Sequence, residues 1–372
     1  MSKILVFDKG GRQERIKLVN KNQAPKDFFQ SIDFLRSHNF DIENLSSSVS
    51  YQKNLIFFFG RFVEQFFSKL TNVGLRPLSV FQYRKKINLS DYVVSLTDGF
   101  SLSLGFYYAF FDKKNKIKLA GAFHKLSDFD DRVPIILKRI YFHIFQKILR
   151  RLDFIIFYGE ADRNNSVKFF KLMRNKTFII KFGVDTSFWQ INKINNFSSK
   201  YLFSIGQDPA RDFQTLLKVK TNKKIHIHTI LLDPFENKKF KVTSGKYQNH
   251  KDSFSDLKIR ELYQNSFAVL VPLKDVFQPS GYSVTLQAMA CGKPVILTRT
   301  KGLWAPTIFK SLTNCILVNP ENPEEIENAI KILENNEEIY NLISSQARKT
   351  VEENFSLKDA NNSTLEIFNK FQ

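Results

Sequence analysis

Short apolar runs rich in β-branched and aromatic residues alternate with stretches of helical periodicity, and this alternation constrains the chain to parallel α/β packing. The runs are Ile4–Phe7, Tyr92–Leu96, Lys118–Phe123, Phe154–Tyr158 and Thr177–Phe182. The pattern then restarts at Tyr201–Ile205 and continues through Ile225–Leu232, Phe267–Val271, Pro294–Leu297 and Cys315–Val318. One core rarely organises 372 residues, so the two sets read as two doubly wound sheets. The polar stretch Asp185–Lys200, rich in Asn and Ser, follows Gly183 and suits a linker. It sets a boundary near residue 190, with domains over 1–189 and 190–355. From Glu324 the chain reads as two or three amphipathic helices with a Phe-rich face at Phe355, Phe368 and Phe371. The last of them, 356–372, is expected to pack back on the first domain.

A composition of 43% hydrophobic residues with 39 Phe supplies buried cores and excludes a disordered chain. The net charge of +20 is uneven: residues 1–185 hold 32 Lys and Arg against 17 Asp and Glu. Such asymmetry points the first half at something anionic, a phospholipid surface or a lipid-linked acceptor. Nucleic acid would also suit the charge, but no binding module or basic-aromatic array is present, so none is expected as a partner. Pro134–Arg151 reads as a helix with a basic row of Arg139, His143, Lys147 and Arg150, extended by Arg151, fit either for lipid headgroups or for a solvated edge. Cys291 and Cys315 lack metal-ligand spacing and suit a reduced, cytoplasmic protein. The start carries no apolar signal segment and no run reaches ~18 apolar residues, so neither export nor membrane insertion is expected, while a peripheral place on the inner membrane face remains open.

The stretch from Gln278 to Pro294 carries the chemistry. A strand ends near Pro272, a loop holds Ser280–Gly281, and a helix is expected from about Ser283 to Ala290. A Gly-containing loop opening a helix leaves backbone N–H groups and the positive end of the helix dipole facing outward, the arrangement of a phosphate seat. An ordinary strain-relieving turn at Gly281 fits the loop taken alone.

The surrounding residues resemble the donor-binding segment of family 4 retaining glycosyltransferases, the glycosyl transferases group 1, whose Glu-Ala-Met-Ala-Cys-Gly-Lys-Pro-Val run is matched by Ala288–Val295. Gly183–Val184–Asp185, Ser204–Ile205–Gly206 with Arg211 and Asp212, Asn319–Pro320, Asn322–Pro323–Glu324–Glu325 and Phe355–Ser356 follow the same family in order. The resemblance implies a GT-B fold, two Rossmann-like domains facing across a cleft. It also implies a retaining, hexosyltransferase-type enzyme that moves a sugar from a nucleotide diphosphate sugar to an acceptor hydroxyl in cell-envelope polysaccharide or glycolipid synthesis. No cofactor or metal is implied: the leaving diphosphate would be stabilised by cationic side chains and oriented N–H groups.

By this resemblance Gly206, Gln207, Arg211, Gly281, Tyr282 and Ser283 surround the diphosphate, with Arg211 its cationic ligand. Gln278, Ser280 and Gln287 serve the donor sugar or ribose. The family's paired glutamates are missing, with Gln287 at the second position and Pro279 at the first. An amide at 287 still accepts a hydrogen bond, and Gln278 or Asp275 is the candidate to replace the first acid. In the first domain Gly10, Gly11 and Asp98 sit at strand ends, where open α/β sheets place ligands. His124 follows the strand Lys118–Phe123 at the family's donor-contacting position. Asp128–Phe129–Asp130 spells the metal-binding triplet of a different glycosyltransferase fold, but in an acidic loop it reads better as capping. The missing acids leave a rival: a catalytically inactive relative that binds a sugar nucleotide or polysaccharide. A sugar-nucleotide epimerase on the related architecture is the other.

Overall fold

In the computed structural model the described residues are 3–8, 12–27, 32–46, 60–62, 64–65, 68, 74–113, 115–128, 133–192, 197–244 and 254–370. The chain divides into two compact units. The first comprises residues 1–13, 29–180 and 361–372, and the second residues 14–28 and 181–360.

The first unit contains a six-stranded sheet of order β2-β1-β3-β4-β5-β6, built from β1 (Lys3–Asp8), β2 (Asp41–Ser46), β3 (Tyr92–Ser95), β4 (Lys118–Phe123), β5 (Phe154–Phe157) and β6 (Thr177–Ile179). Every pairing is parallel. Because side chains alternate along a strand, Leu5, Phe7, Val93, Leu119, Phe123, Ile155 and Phe157 enter one core, while Ile4, Val6, Val94, Ala120, Ala122 and Ile156 enter another on the opposite face. Burial on both faces explains the continuous apolar runs. Among the helices of this unit are α2 (Ile32–Ser37), α3 (Pro77–Ile87), α4 (Asp98–Phe110), α5 (Lys138–Arg151) and α6 (Glu160–Phe170), while α1 (Arg12–Asn20) passes into the second unit after residue 13. Gly105 lets α4 lie against α5: a Cβ there would come 2.6 Å from Ile148 Cγ2 and 2.8 Å from its carbonyl oxygen.

The second unit contains a seven-stranded sheet of order β13-β12-β11-β7-β8-β10-β9. Its strands are β7 (Tyr201–Ile205), β8 (Lys224–His228), β9 (Phe235–Glu236), β10 (Phe240–Thr243), β11 (Val269–Val271), β12 (Val295–Thr298) and β13 (Ile316–Val318). Only the short edge strand β9 runs antiparallel. Helices α7 (Phe213–Leu216), α8 (Asp256–Asn265), α9 (Tyr282–Ala290), α10 (Pro323–Asn335) and α11 (Glu337–Asn354) belong here, and α12 (Leu357–Asn369) passes into the first unit after residue 360. Phe203, Val269, Val271, Val295 and Leu297 pack with Leu286, Met289, Ala347 and Val351 on one face. Leu202, Leu270, Ile296, Ile225 and Ile227 pack with Ile326, Ile330 and Tyr340 on the other.

Several boundaries differ from the sequence expectation. The division falls at residue 180 rather than near 190, because Val184, Phe188 and Trp189 are buried in the second core. Residues 14–28 also belong to the second unit. The tail forms three helices, the last contributing Ile367 and Phe368 to a core of the first unit. Phe355 belongs instead to the second unit, stacked on Phe309 at 5.9 Å, and Phe371 lies outside the described residues. The helix expected from Pro134 starts as the 3₁₀ turn Ile135–Leu137 and becomes α-helical at Lys138.

Candidate functional site

In the second sheet β8 lies on one side of β7 and β11 on the other, so the topology switches between β7 and β11, the place where open α/β sheets leave a crevice at the strands' carboxyl ends. Two loops meet there. The loop after β7 is zipped to the loop after β11 by Asp212 N–H on the Pro272 carbonyl at 3.1 Å and Lys274 N–H on the Ala210 carbonyl at 2.9 Å. Asp212 then caps α7, accepting the Thr215 N–H at 3.0 Å.

Arg211 occupies the centre of this junction and is only 5% exposed. Its guanidinium rests on Gly206, where a Cβ would stand 2.2 Å from Nε and 2.9 Å from Cζ. Among the described residues neither Nε nor Nη1 has a hydrogen-bond partner. Burial lowers the guanidinium's pKa and the charge of Asp208 opposes that shift. Buried cationic donors left unsatisfied cost free energy that a matching anion recovers.

Gly281 adopts φ +81° at the N-cap of α9, and a Cβ there would meet Val271 Cγ1 at 2.9 Å. No side chain caps this helix, leaving its first N–H groups to solvent or ligand. Ser280, 5% exposed, carries a buried hydroxyl without a partner among the described residues. Ser283 lies in the first turn of α9 and is partly exposed. The Tyr282 ring packs on Phe182 at 4.5 Å, and its backbone N–H is one of those at the start of α9. Gln207 is partly exposed beside Gly206.

The acid-replacing candidates are otherwise occupied. The Gln278 side-chain amide donates to Asp208, and Asp275 accepts the Lys301 N–H at 2.7 Å. Gln287 is 6% exposed, and its amide donates to Asp27 at 2.9 Å. Asp27 has no sequence signature, and the sequence reading missed it. The Gly183–Val184–Asp185 motif also proves architectural. A Cβ on Gly183 would approach Ser356 O to 2.6 Å, Val184 N–H donates to the Phe355 carbonyl at 2.9 Å, and Asp185 accepts the Ser187 and Phe188 N–H groups. Asn322 caps α10 through the Glu325 N–H at 3.0 Å, which accounts for that motif.

In the first unit, Asp98 and His124 come together. Asp98 opens α4, and His124 ends β4 one strand away. The Asp98 carboxylate accepts the His124 backbone N–H at 3.1 Å and faces Nδ1 at 3.0 Å. The imidazole stacks on Tyr158 at 4.3 Å. Burial would raise the Asp98 carboxyl, but the hydrogen bonds and charge of His124 hold it below its usual range. With Nδ1–H given to the carboxylate, Nε2 is the ring's remaining polar atom. Nearby, Asp162 accepts the Ser127 N–H at 2.9 Å, and burial lifts its carboxyl to about 7. Gly10, Gly11, Phe129, Asp130 and Asp131 lie outside the described residues; Asp128 is buried in a 3₁₀ turn. Arg151 leaves the basic row: its guanidinium donates to the carbonyls of Asn115 and Ile117 at 3.0 and 3.2 Å. Among the described residues no helix is long and apolar enough to cross a membrane.

The parallel-strand sheets and the whole-chain likeness to glycosyltransferase structures define the GT-B fold. The structure of Anabaena HepE in complex with UDP and glucose aligns over 100% of both chains at 14% identity and TM-score 0.65. Sucrose-phosphate synthase from Thermosynechococcus elongatus aligns over 100% of this chain and 99% of its own, at 11% identity and TM-score 0.69. WaaG, a glycosyltransferase involved in lipopolysaccharide biosynthesis, aligns over 98% and 99% at 11% identity and TM-score 0.60. Residues 236–350, inside the second unit, match the family Glycosyl transferases group 1. No curated protein matches the chain in sequence.

Proposed function

We propose that the protein is a retaining glycosyltransferase that takes a hexose from a nucleotide diphosphate sugar, and that the second unit binds the nucleotide. The observation that carries this reading is Arg211, a buried guanidinium whose Nε and Nη1 have no partner among the described residues, in the same crevice as the uncapped start of α9. A diphosphate satisfies both. The solved complexes of HepE with UDP and with UDP-glucose support uridine as the base.

The acceptor hydroxyl attacks the anomeric carbon as its bond to the diphosphate breaks, on the same face. The departing phosphate oxygen takes the proton, and Arg211 with the α9 N–H groups balances its charge. His124, oriented by Asp98, contacts sugar hydroxyls through Nε2. The acceptor belongs to cell-envelope polysaccharide or glycolipid synthesis and is met at an anionic membrane surface. Supporting this, Ile135, Ile136 and Ile140 are 83%, 87% and 62% exposed at the start of α5, beside exposed Arg139, His143, Lys147 and Arg150. Failure to sediment with anionic vesicles would remove the membrane part alone.

The decisive experiment is thermal melting against UDP, GDP, ADP and their sugar conjugates, repeated with Arg211→Ala. A UDP-selective rise that the variant loses supports the reading. No rise with any nucleotide sinks it. Binding without sugar transfer to any acceptor would favour the inactive relative.

A further inference from the structure

Asp27 is 5% exposed, in the part of residues 14–28 that belongs to the second unit. Its Oδ1 accepts the Asp185 backbone N–H at 2.6 Å. Its Oδ2 accepts both the Trp189 indole N–H at 2.7 Å and the Gln287 amide at 2.9 Å. Trp189 is fully buried, so Asp27 cannot turn away without stranding an indole N–H inside the core. Above pH about 7, where Asp27 is ionised, the carboxylate only accepts, so the end of Gln287 facing it is the amino end. The remaining atom, Gln287 Oε1, has no partner among the described residues. Ser283 lies one turn nearer the start of α9 on the same helical face.

We propose that Asp27 is a positioning residue: by holding the amino group of Gln287 it makes that side chain present only a carbonyl oxygen, which accepts from a ribose hydroxyl of the bound nucleotide. The inference rests on the reading of α9 as the nucleotide-binding helix. A neutral amide free to flip would offer donor and acceptor alternately, and a fixed one commits to accepting. The negative charge sits one side chain behind the contact, where it polarises the amide without meeting the diphosphate. In this arrangement a carboxylate at position 287 would face another carboxylate across a hydrogen-bond distance, which accounts for an amide there.

The test is a reciprocal exchange. Affinities for UDP and 2′-deoxy- and 3′-deoxy-UDP are measured above pH about 7, where Asp27 is ionised, for the full chain and for Asp27→Asn, Gln287→Glu and the double variant. Gln287→Glu should bind UDP at least ~10-fold more weakly, because two carboxylates then share one buried site. Adding Asp27→Asn removes the like charge and should recover part of the UDP binding lost in Gln287→Glu, with the preference for UDP over one deoxy analogue; recovery is partial because the Asn amide has one acceptor oxygen where the carboxylate has two. A merely structural Asp27 would make the double variant the weakest of the four. That result overturns the proposal, as does an unchanged deoxy preference in every variant. Melting of the same four proteins without ligand tests the coupling alone, the double variant being expected to melt above Gln287→Glu. If that holds but no protein binds UDP or pyrophosphate, the nucleotide reading fails and the ribose assignment with it. If UDP binds but the double variant shows no recovery, the positioning role fails alone.

Discussion

The guanidinium of Arg211 lies against the α-carbon of Gly206, so close that a methyl on the glycine would come 2.2 Å from Nε. Gly206→Ala should therefore push the guanidinium out of its place without touching the helix start. UDP affinity is expected to fall at least ~10-fold, or ~1.4 kcal/mol, as measured by calorimetry. An unchanged affinity would remove Arg211 from the diphosphate site.

Arg211 should also trade stability for binding. Its buried N–H groups lack partners, and each such group costs ~1–3 kcal/mol. Arg211→Met is expected to raise the ligand-free melting temperature by a few degrees while losing the rise given by UDP. A lower melting temperature would show that the guanidinium is already satisfied.

Gly281 sits at φ +81°, which costs a residue with a side chain ~1–2 kcal/mol before the clash with Val271 is added. Gly281→Ala should lower stability by at least that much in urea unfolding and weaken UDP binding through a displaced α9 start.

The buried acids give a pH signature. Burial lifts Asp27 from 3.8 to about 7, against the hydrogen bonds it accepts, and lifts Asp162 likewise. A raised acid stays protonated in the folded chain where the unfolded chain has ionised. Its stabilisation is full below the unfolded value and is lost as pH rises through about 7. Asp27→Asn should flatten the decline in stability between pH ~4 and ~7 relative to the parent, read from urea midpoints at each pH. Equal slopes would mean that Asp27 titrates near its unfolded value.

Asp98→Ala releases the His124 ring from its carboxylate. Sugar transfer should slow by ~10-fold or more, ~1.4 kcal/mol of lost transition-state positioning of the sugar, while UDP binding changes little. A rate equal to the parent's would leave the Asp98–His124 pair as architecture.

The strands that form both sheet centres could be read because burial on both faces demands unbroken apolar runs, as in Phe154–Phe157. The Asp41–Ser46 strand (DIENLS) and Phe240–Thr243 (FKVT) escaped notice because polar residues interrupt their patterns. In the candidate site, the Gly281 loop was read from local loop chemistry, and Gly206 and Arg211 from the family resemblance. The Asp27–Gln287 pair was not, since its partners stand 260 positions apart and an isolated Asp in a polar run carries no spacing to read. Asp98 and His124 were each visible as strand-end residues, but their pairing depends on sheet order, which one strand's sequence does not encode.

Neither unit is continuous along the chain: the first recovers residues 361–372 from the far end, and the second takes residues 14–28 from near the start. During synthesis the first sheet is complete by Ile179, yet Ile367 and Phe368, which cover part of its core, have still to be made. At 5–20 residues per second that wait lasts about 10–40 s. Until then one face of the newborn sheet stays partly bare, and Asp27 waits for Gln287. The last helix is thus a closing stitch, and trimming it should leave a chain that depends on chaperones from the moment it leaves the ribosome.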